Sequence, residues 1–178
     1  TDAQGQFISN FNPNEFTLDG AYSMKLSQNF STGLAMRYIY SNLTGGIQVP
    51  DAGGATKPGT SFAVDLSSYF QSDNFEIDDK EVYFAAGFNL SNIGNKISYT
   101  DGGEEHFLPT NGRIGANLFM ELDEYNTVSF AFDINKLLVP TPPIYDSLAS
   151  FPYGPDDIIS GQDPNVGVLQ GMFQSFSD

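Results

Sequence analysis

Hydrophobic and polar residues alternate with a period of two along six segments of the chain. In the clearest segment, residues 16–27, the apolar positions are Phe16, Leu18, Tyr22, Met24 and Leu26. A period of two places successive side chains on opposite faces of a β-strand, whereas an amphipathic helix repeats every 3.6 residues or so. The chain is therefore predicted to be all-β, with six strands of about ten residues each.

The lengths of these strands and of their links favour a membrane barrel. About 9–11 residues suit a tilted strand that crosses a bilayer, and strands of soluble sheets are usually shorter. The links are tight at 28–31 and 123–126 and of modest length at 72–80, whereas those at 43–60, at 92–111 and after 137 are long. Short turns on one side and long loops on the other are typical of outer-membrane barrels. An antiparallel sandwich in water would show the same alternation and remains the alternative.

Six strands are too few to close a membrane barrel, which needs roughly eight or more. We therefore expect either that the chain continues beyond both ends or that several copies share one barrel. In such a barrel the apolar side of each strand faces lipid and the polar side lines the lumen. The residues predicted to face lipid or a partner barrel include Phe16, Leu18, Tyr22, Phe84, Phe88, Phe130 and Phe132.

Charged residues within the six segments fall on the polar side of the alternation. Charges in a barrel interior persist when they are paired and hydrogen-bonded. We predict such a lumen charge network for Asp19, Lys25, Arg37, Asp65, Arg113, Glu121 and Asp133. Because Glu121 and Asp133 are interleaved with cations, this interpretation is preferred to a pair of catalytic carboxylates.

The chain changes character after Leu137. Six of the ten prolines lie between Pro140 and Pro164, which argues against regular ladder pairing there. Asp163 and Pro164 then predict a helix start, with Asp163 as N-cap. An apolar stripe follows over about three turns, on Val166, Leu169, Phe173 and Phe176. We divide the chain into strands, turns and two long loops over 1–137, and a long Pro-rich loop with a short amphipathic helix over 138–178.

This last part of the chain contains more apolar and aromatic residues than a solvent-exposed loop without a binding role needs. Aromatic anchors dominate protein interfaces, and proline stiffness lowers the ordering cost of binding. The predicted partner-binding residues are Ile144, Tyr145, Leu148, Phe151, Tyr153, Leu169 and Phe173. The alternative is that this part folds over the barrel mouth and seals it.

Composition excludes several classes of function. The chain has 22 acidic and 7 basic residues, and its net charge of −15 excludes a nucleic-acid binder. It contains no cysteine and a single histidine, His106, which lies in the polar loop 101–106. A two-histidine zinc site is impossible, and the acidic spacing of this loop does not follow the EF-hand pattern. We expect no catalytic residue, no metal site and no cofactor, so the chain is not expected to be an enzyme.

Three segments carry a resemblance to a known family. Residues 87–99 (GFNLSNIGNKISY), a strand running into an N-I-G-x-K corner, resemble the PorV family of the type IX secretion system. So do residues 133–143 (DINKLLVPTPP), and residues 169–178 (LQGMFQSFSD) are similar to a segment that follows in that family. The K-L-L-V-P-T-P-P run is fairly specific, whereas the N-I-G-x-K corner also occurs in the wider set of FadL-like barrels.

The resemblance implies a FadL-like transmembrane barrel of about 14 strands in the bacterial outer membrane, to which this chain supplies about six. Family members are not enzymes. They collect the C-terminal signal domains of secreted cargo at a very large translocon barrel and pass the cargo to a surface attachment complex. The long loops of this chain would face the cell exterior, and the lipid bilayer would surround the strands.

Two other functions remain open at this point. A FadL-like channel for small hydrophobic molecules is the main alternative, which the charges on the predicted lumen side disfavour. A soluble sandwich that acts as an adhesin or a carbohydrate-binding module is the third.

Overall fold

The computed structural model describes residues 12–43, 45, 55–148 and 153–177, and six long strands dominate them. The long strands are β1 (Asn14–Lys25), β2 (Phe30–Asn42), β3 (Gly59–Gln71), β5 (Lys80–Gly94), β6 (Asn111–Asp123) and β7 (Asn126–Leu137). The shorter elements are β4 (Phe75–Ile77), β8 (Ile144–Tyr145), β9 (Ile158–Ser160) and the helix α1 (Val168–Gln174). The prediction of an all-β chain with six long strands is confirmed.

The six long strands pair antiparallel in chain order, β1-β2-β3-β5-β6-β7, and β4 pairs with β5. The sheet is open, with β1 and β7 at its two edges. Within the described residues no helix is both long and apolar enough to span a membrane.

Strand register gathers the apolar positions onto one surface. Phe16 pairs with Tyr40, and Tyr38 pairs with Phe62. Directly opposed residues of an antiparallel pair lie on the same face, so the predicted apolar sides of all six strands form one surface, the apolar face. Its large side chains are exposed, as at Phe130, of which 71% is accessible. The opposite surface, the polar face, carries the seven residues of the predicted charge network. That the apolar face contacts lipid stays a prediction at this point.

A β-bulge interrupts the pairing of β3 with β5 beside Asp65. Between the pairs Val64–Ile93 and Leu66–Leu90, β5 contains one residue more than β3. Asn92 lies in this bulge with a φ of 58°, a left-handed conformation that asparagine tolerates better than most residues. Its backbone N–H donates to Oδ1 of Asp65 at 2.7 Å. The carboxylate therefore satisfies a backbone group that the bulge removes from the ladder.

The short connections lie at one end of the sheet, here called the turn end. Between β6 and β7 the chain reverses at residues 124–125. Oδ1 of Asp123 accepts the backbone N–H groups of Tyr125 and Asn126, both at 2.9 Å. An aspartate that bonds its own following backbone is a common way to build a tight turn.

The long connections lie at the opposite end, here called the rim. The β5–β6 loop (residues 95–110) folds back onto the polar face, where Ile97 and Leu108 are buried against Ala63. Ile39 and Tyr99 pack around this cluster. In the part of the chain that the structure describes, the large side chains of the apolar face are exposed and form no core. This cluster under the β5–β6 loop is therefore the main hydrophobic core of the described residues.

The tail, residues 138–177, follows β7 at the rim and departs from the predictions in two ways. The expectation of no ladder pairing is wrong for β8 and β9, which pair antiparallel with a bulge. None of the paired residues is a proline, so each still has a backbone N–H group. The predicted helix start at Asp163 is also wrong. Helix α1 begins at Val168 with Gly167 as N-cap, and it spans about two turns instead of three. The division of the chain at residue 138 stays an interpretation.

The contacts of residues 163–165 explain the late helix start. Oδ1 of Asp163 accepts the backbone N–H of Asn165 at 2.8 Å, so the carboxylate closes a local turn. The ammonium of Lys96 donates to the Pro164 carbonyl at 2.6 Å. In a helix capped by Asp163, that carbonyl would accept the N–H of Val168. Lys96, which is distant in the chain, thus competes with the first helical turn for the Pro164 carbonyl.

Candidate partner-binding site

A cleft of about 650 Å³ lies at the rim between the β5–β6 loop and the tail. One wall consists of residues 104–107 of the loop. The other wall is formed by residues 139–143 and by Tyr145, Tyr153, Gln162, Pro164 and Asn165. The two walls come from segments that are separated by a complete β-hairpin, so the cleft exists only because the tail folds back against the loop.

Lys96 is the main link between the two walls. Its ammonium lies 4.2 Å from the centroid of the Phe107 ring, in addition to the hydrogen bond that it donates to the Pro164 carbonyl. Within the tail wall, the backbone N–H of Gln162 donates a hydrogen bond to the carbonyl of Thr141 at 3.0 Å. Prolines at 140, 142 and 143 restrict their own φ and the residues before them, so this wall is stiff for a loop.

Two stacked tyrosines stand on the tail side of the cleft. The rings of Tyr145 and Tyr153 are 4.6 Å apart between centroids and inclined by only 14°. The pairing of β8 with β9 and the hydrogen bond from the N–H of Asp146 to the carbonyl of Asp157, at 2.8 Å, support this arrangement. Rigid aromatic pairs of this kind provide a large contact area at a low entropic cost to a binding partner.

The loop side of the cleft is acidic. The side chains of Glu104, Glu105 and His106 are exposed and line it. Among the described residues neither glutamate lies within ion-pair distance of a cation, whereas Lys57 of the adjoining loop pairs with Asp101 at 2.9 Å. In the described part of the chain no group of three or more His, Cys, Asp or Glu residues is arranged to hold a metal ion. The cleft can therefore contact a partner through aromatic surface and negative charge.

The predicted partner-binding residues do not all meet at this cleft. Tyr145 and Tyr153 line it together. Ile144 and Leu148 are exposed near it but do not line it, and Phe151 lies outside the described residues. Leu169 and Phe173 lie on α1, where they are exposed and away from the cleft lining. Their role in binding stays a prediction.

The loop side of the cleft, including Glu104, Glu105 and Phe107, is not predictable from the sequence. The acidic run at 104–105 is visible in the sequence, but it resembles an ordinary solvated turn. No period or motif indicates that this run lies opposite a Pro-rich segment more than thirty residues later. The contact depends on Lys96, whose partners are known only from the folded chain.

The seven residues of the predicted charge network share the polar face, but only five of them pair, in two separate clusters. Arg37 pairs with Asp19, and its Nη2 lies 3.6 Å from Oδ2 of Asp65. Arg113 and Asp133 make a longer contact of 4.0 Å. Among the described residues neither Lys25 nor Glu121 has an opposite charge within 4.0 Å. The single network is therefore not observed, and the position of this face inside a lumen stays a prediction.

The N-I-G-x-K corner connects the first of these clusters to the cleft. Asn92 accepts a hydrogen bond from Arg37 and donates one to the Pro109 carbonyl at 3.2 Å. Gly94 lies so close to Leu108 and the Phe62 carbonyl that a Cβ atom has no room. Lys96 joins the loop to the tail, as described above. Three of the four specified residues in the motif, Asn92, Gly94 and Lys96, thus have a structural task at the rim.

Comparison with known proteins gives one family. A family model described as type IX secretion system protein PorV matches residues 2–144. The matched range includes all six long strands, the N-I-G-x-K corner and the first residues of the tail, and it ends before α1. A search of curated proteins finds no match. Since the family model covers most of the chain, the chain belongs to PorV, a β-barrel family of the type IX secretion system.

Proposed function

We propose that this chain is part of an outer-membrane barrel that receives the C-terminal signal domains of secreted cargo at the translocon and passes the cargo to the surface attachment complex. Membership of the PorV family already implies involvement in type IX secretion. In this proposal the rim faces the cell exterior and the rim cleft is where cargo is held. The observation that carries the proposal is the acidic, aromatic cleft at the end of an open sheet with an exposed apolar face.

The dimensions of the sheet support a position in the membrane. Twelve to fifteen residues per long strand, at about 3.3 Å per residue and a tilt of about 40°, span roughly 30–38 Å along the membrane normal. The long strands are therefore long enough to cross the hydrocarbon core, which is about 30 Å thick. Exposing the large side chains of the whole apolar face to water would be unfavourable in free energy, whereas lipid would solvate them.

The chemistry of the cleft supports binding without turnover. The described residues provide stacked tyrosines, stiff prolines and two carboxylates, which suit an extended polypeptide with basic side chains. We accordingly propose that the chain acts as a receptor and carrier and catalyses no reaction. The very large translocon barrel, the cargo signal domains and the attachment complex are its proposed partners.

The tyrosine pair provides the direct test. Tyr145→Ala combined with Tyr153→Ala in the intact protein should leave its level in the outer membrane and its co-purification with the translocon unchanged. Co-purified cargo should fall severalfold, because the aromatic wall of the cleft is lost. Tyr125→Ala is the matched control, because Tyr125 is exposed in the turn at the opposite end of the sheet. Normal cargo recovery with the double variant would refute the cleft as the cargo site.

The acidic wall is tested separately. Glu104→Gln combined with Glu105→Gln should weaken cargo binding at low salt, and the loss should shrink as ionic strength rises, since screening weakens exposed charges. Glu124→Gln at the turn end is the control for loss of one exposed carboxylate. Equal cargo binding by the double variant and the control at low salt would show that the carboxylates of Glu104 and Glu105 do not contribute to cargo binding.

A further inference from the structure

Helix α1 presents its apolar side away from the protein. Gly171 faces inward, where a Cβ atom would lie 2.8 Å from the ring of Phe107, and Ser175 is buried on the same side. Leu169 and Phe173 are spaced by four residues, so they form one stripe on the opposite side, and Phe176 follows in the turn after the C-cap Ser175. All three are exposed, and 76% of Phe173 is accessible. These three residues are the apolar stripe.

The apolar stripe begins where the apolar face of the sheet ends. Lys136 pairs with Gly112, which pairs with Leu90, so Lys136 belongs to the apolar face at the rim end of β7. It follows Ile134, an exposed apolar residue of that face. The Lys136 ammonium lies 5.2 Å from the centroid of the Phe176 ring. A lysine at the edge of an apolar belt typically extends its ammonium to the lipid headgroups.

We propose that α1 lies in the interfacial layer of the membrane leaflet next to the rim, with Leu169, Phe173 and Phe176 among the lipid acyl chains just below the headgroups. This inference rests on the proposed function in one respect, that the apolar face of the sheet contacts lipid. The occupant follows from continuity, because the contact between Lys136 of the apolar face and Phe176 of the apolar stripe places the stripe next to that face. A helix with one apolar side at this level is stabilised by partial insertion.

Insertion of α1 would also hold the cleft at the membrane surface. Phe107 and Pro140 line the cleft on one side and contact the Gly171 position of α1 on the other. A helix of seven residues has little stability of its own, so lipid contact and the Phe107 contact together would keep it folded. Leu169 and Phe173 thereby contact lipid in this proposal, and Tyr145 and Tyr153 remain available to a protein partner.

Tryptophan fluorescence tests the proposal, since the chain contains no tryptophan. Phe173→Trp, Phe132→Trp and Tyr125→Trp are introduced one at a time into the intact protein. Each variant is reconstituted in phosphatidylcholine vesicles with bromine near the headgroup end or near the far end of the acyl chains. Quenching is measured as the difference from the parent protein. We expect the emission maximum of Phe173→Trp to shift to shorter wavelength. We also expect bromine near the headgroup end of the acyl chains to quench this variant more strongly than bromine near the far end.

The other two variants separate the possible failures. Phe132→Trp reports the middle of the apolar face, and Tyr125→Trp reports water at the turn end. If Phe132→Trp is quenched but Phe173→Trp behaves like Tyr125→Trp, the α1 proposal is wrong and the barrel proposal stands. If Phe132→Trp is not quenched, both are wrong. A blue shift of Phe173→Trp without lipid quenching, or only after the translocon binds, would assign the stripe to a protein groove and overturn the proposal.

Discussion

The sheet and the tail of this protein are held together in different ways. Each long strand of the sheet pairs with its neighbours along most of its length, and within the described residues the large side chains of the apolar face are exposed. The tail has two very short strands and one two-turn helix, and individual side chains such as Lys96 attach it. In the sheet, stability depends on the backbone ladder and on which face a residue occupies. In the tail, it depends on a few specific contacts.

The largest expected effect tests the two faces of the sheet. Phe130→Arg places a charge on the apolar face and should cost about 2–4 kcal/mol in a folding assay in lipid vesicles. Ser129→Arg is the matched control, because Ser129 lies on the polar face and bonds to Asn117. Equal insertion of both variants would show that the apolar face is not the lipid side.

A smaller effect is expected from the charge cluster on the polar face. Arg37→Ala removes the partner of Asp19 and Asp65 and should lower the free energy of unfolding by about 1–2 kcal/mol, less than a fully buried pair would. Urea titration of the folded protein in vesicles measures it. Arg113→Ala is the control, since its contact with Asp133 is longer and more exposed. If Arg113→Ala costs as much as Arg37→Ala, the Arg37 cluster has no special structural role.

The next effect should be confined to the tail. Gly171→Ala adds a methyl group that has to displace the Phe107 ring, at an expected cost of about 1 kcal/mol to the docking of α1. Hydrogen exchange should then increase in residues 168–175 and remain unchanged in β5 and β6. Gly167→Ala is the control, because a Cβ atom there meets nothing within 4 Å. Faster exchange throughout the sheet would mean that tail and sheet unfold together, and it would contradict the view that they are stabilised by different interactions.

The smallest effect is expected at the turn end. Asp123→Ala removes the acceptor of two backbone N–H groups in the β6–β7 turn and should slightly lower the urea midpoint. Asn126→Ala retains the two backbone bonds and should lower it less, since only its side-chain contact with Asp123 disappears. A greater loss from Asn126→Ala would contradict the role given to the backbone bonds.

The alternation of polar and apolar residues was sufficient to predict the sheet. Strands such as β2 and β6 could be located and assigned two faces, because side chains of a strand alternate whatever lies beside them. The extra residue of the bulge could not be predicted. It requires Asn92 to meet both Arg37 and Asp65, which lie on two other strands.

For this protein the sequence by itself determined the fold class, the strand order along the chain, the two faces of the sheet and the family resemblance. The tertiary structure alone decided where α1 begins, which aromatic residues stack, and that an acidic loop and a Pro-rich tail form one cleft. The physical reason is the range of the interactions. Strand periodicity is local and repeats over many residues, whereas the hydrogen bond from Lys96 to Pro164 joins residues 68 positions apart and has no periodic signature.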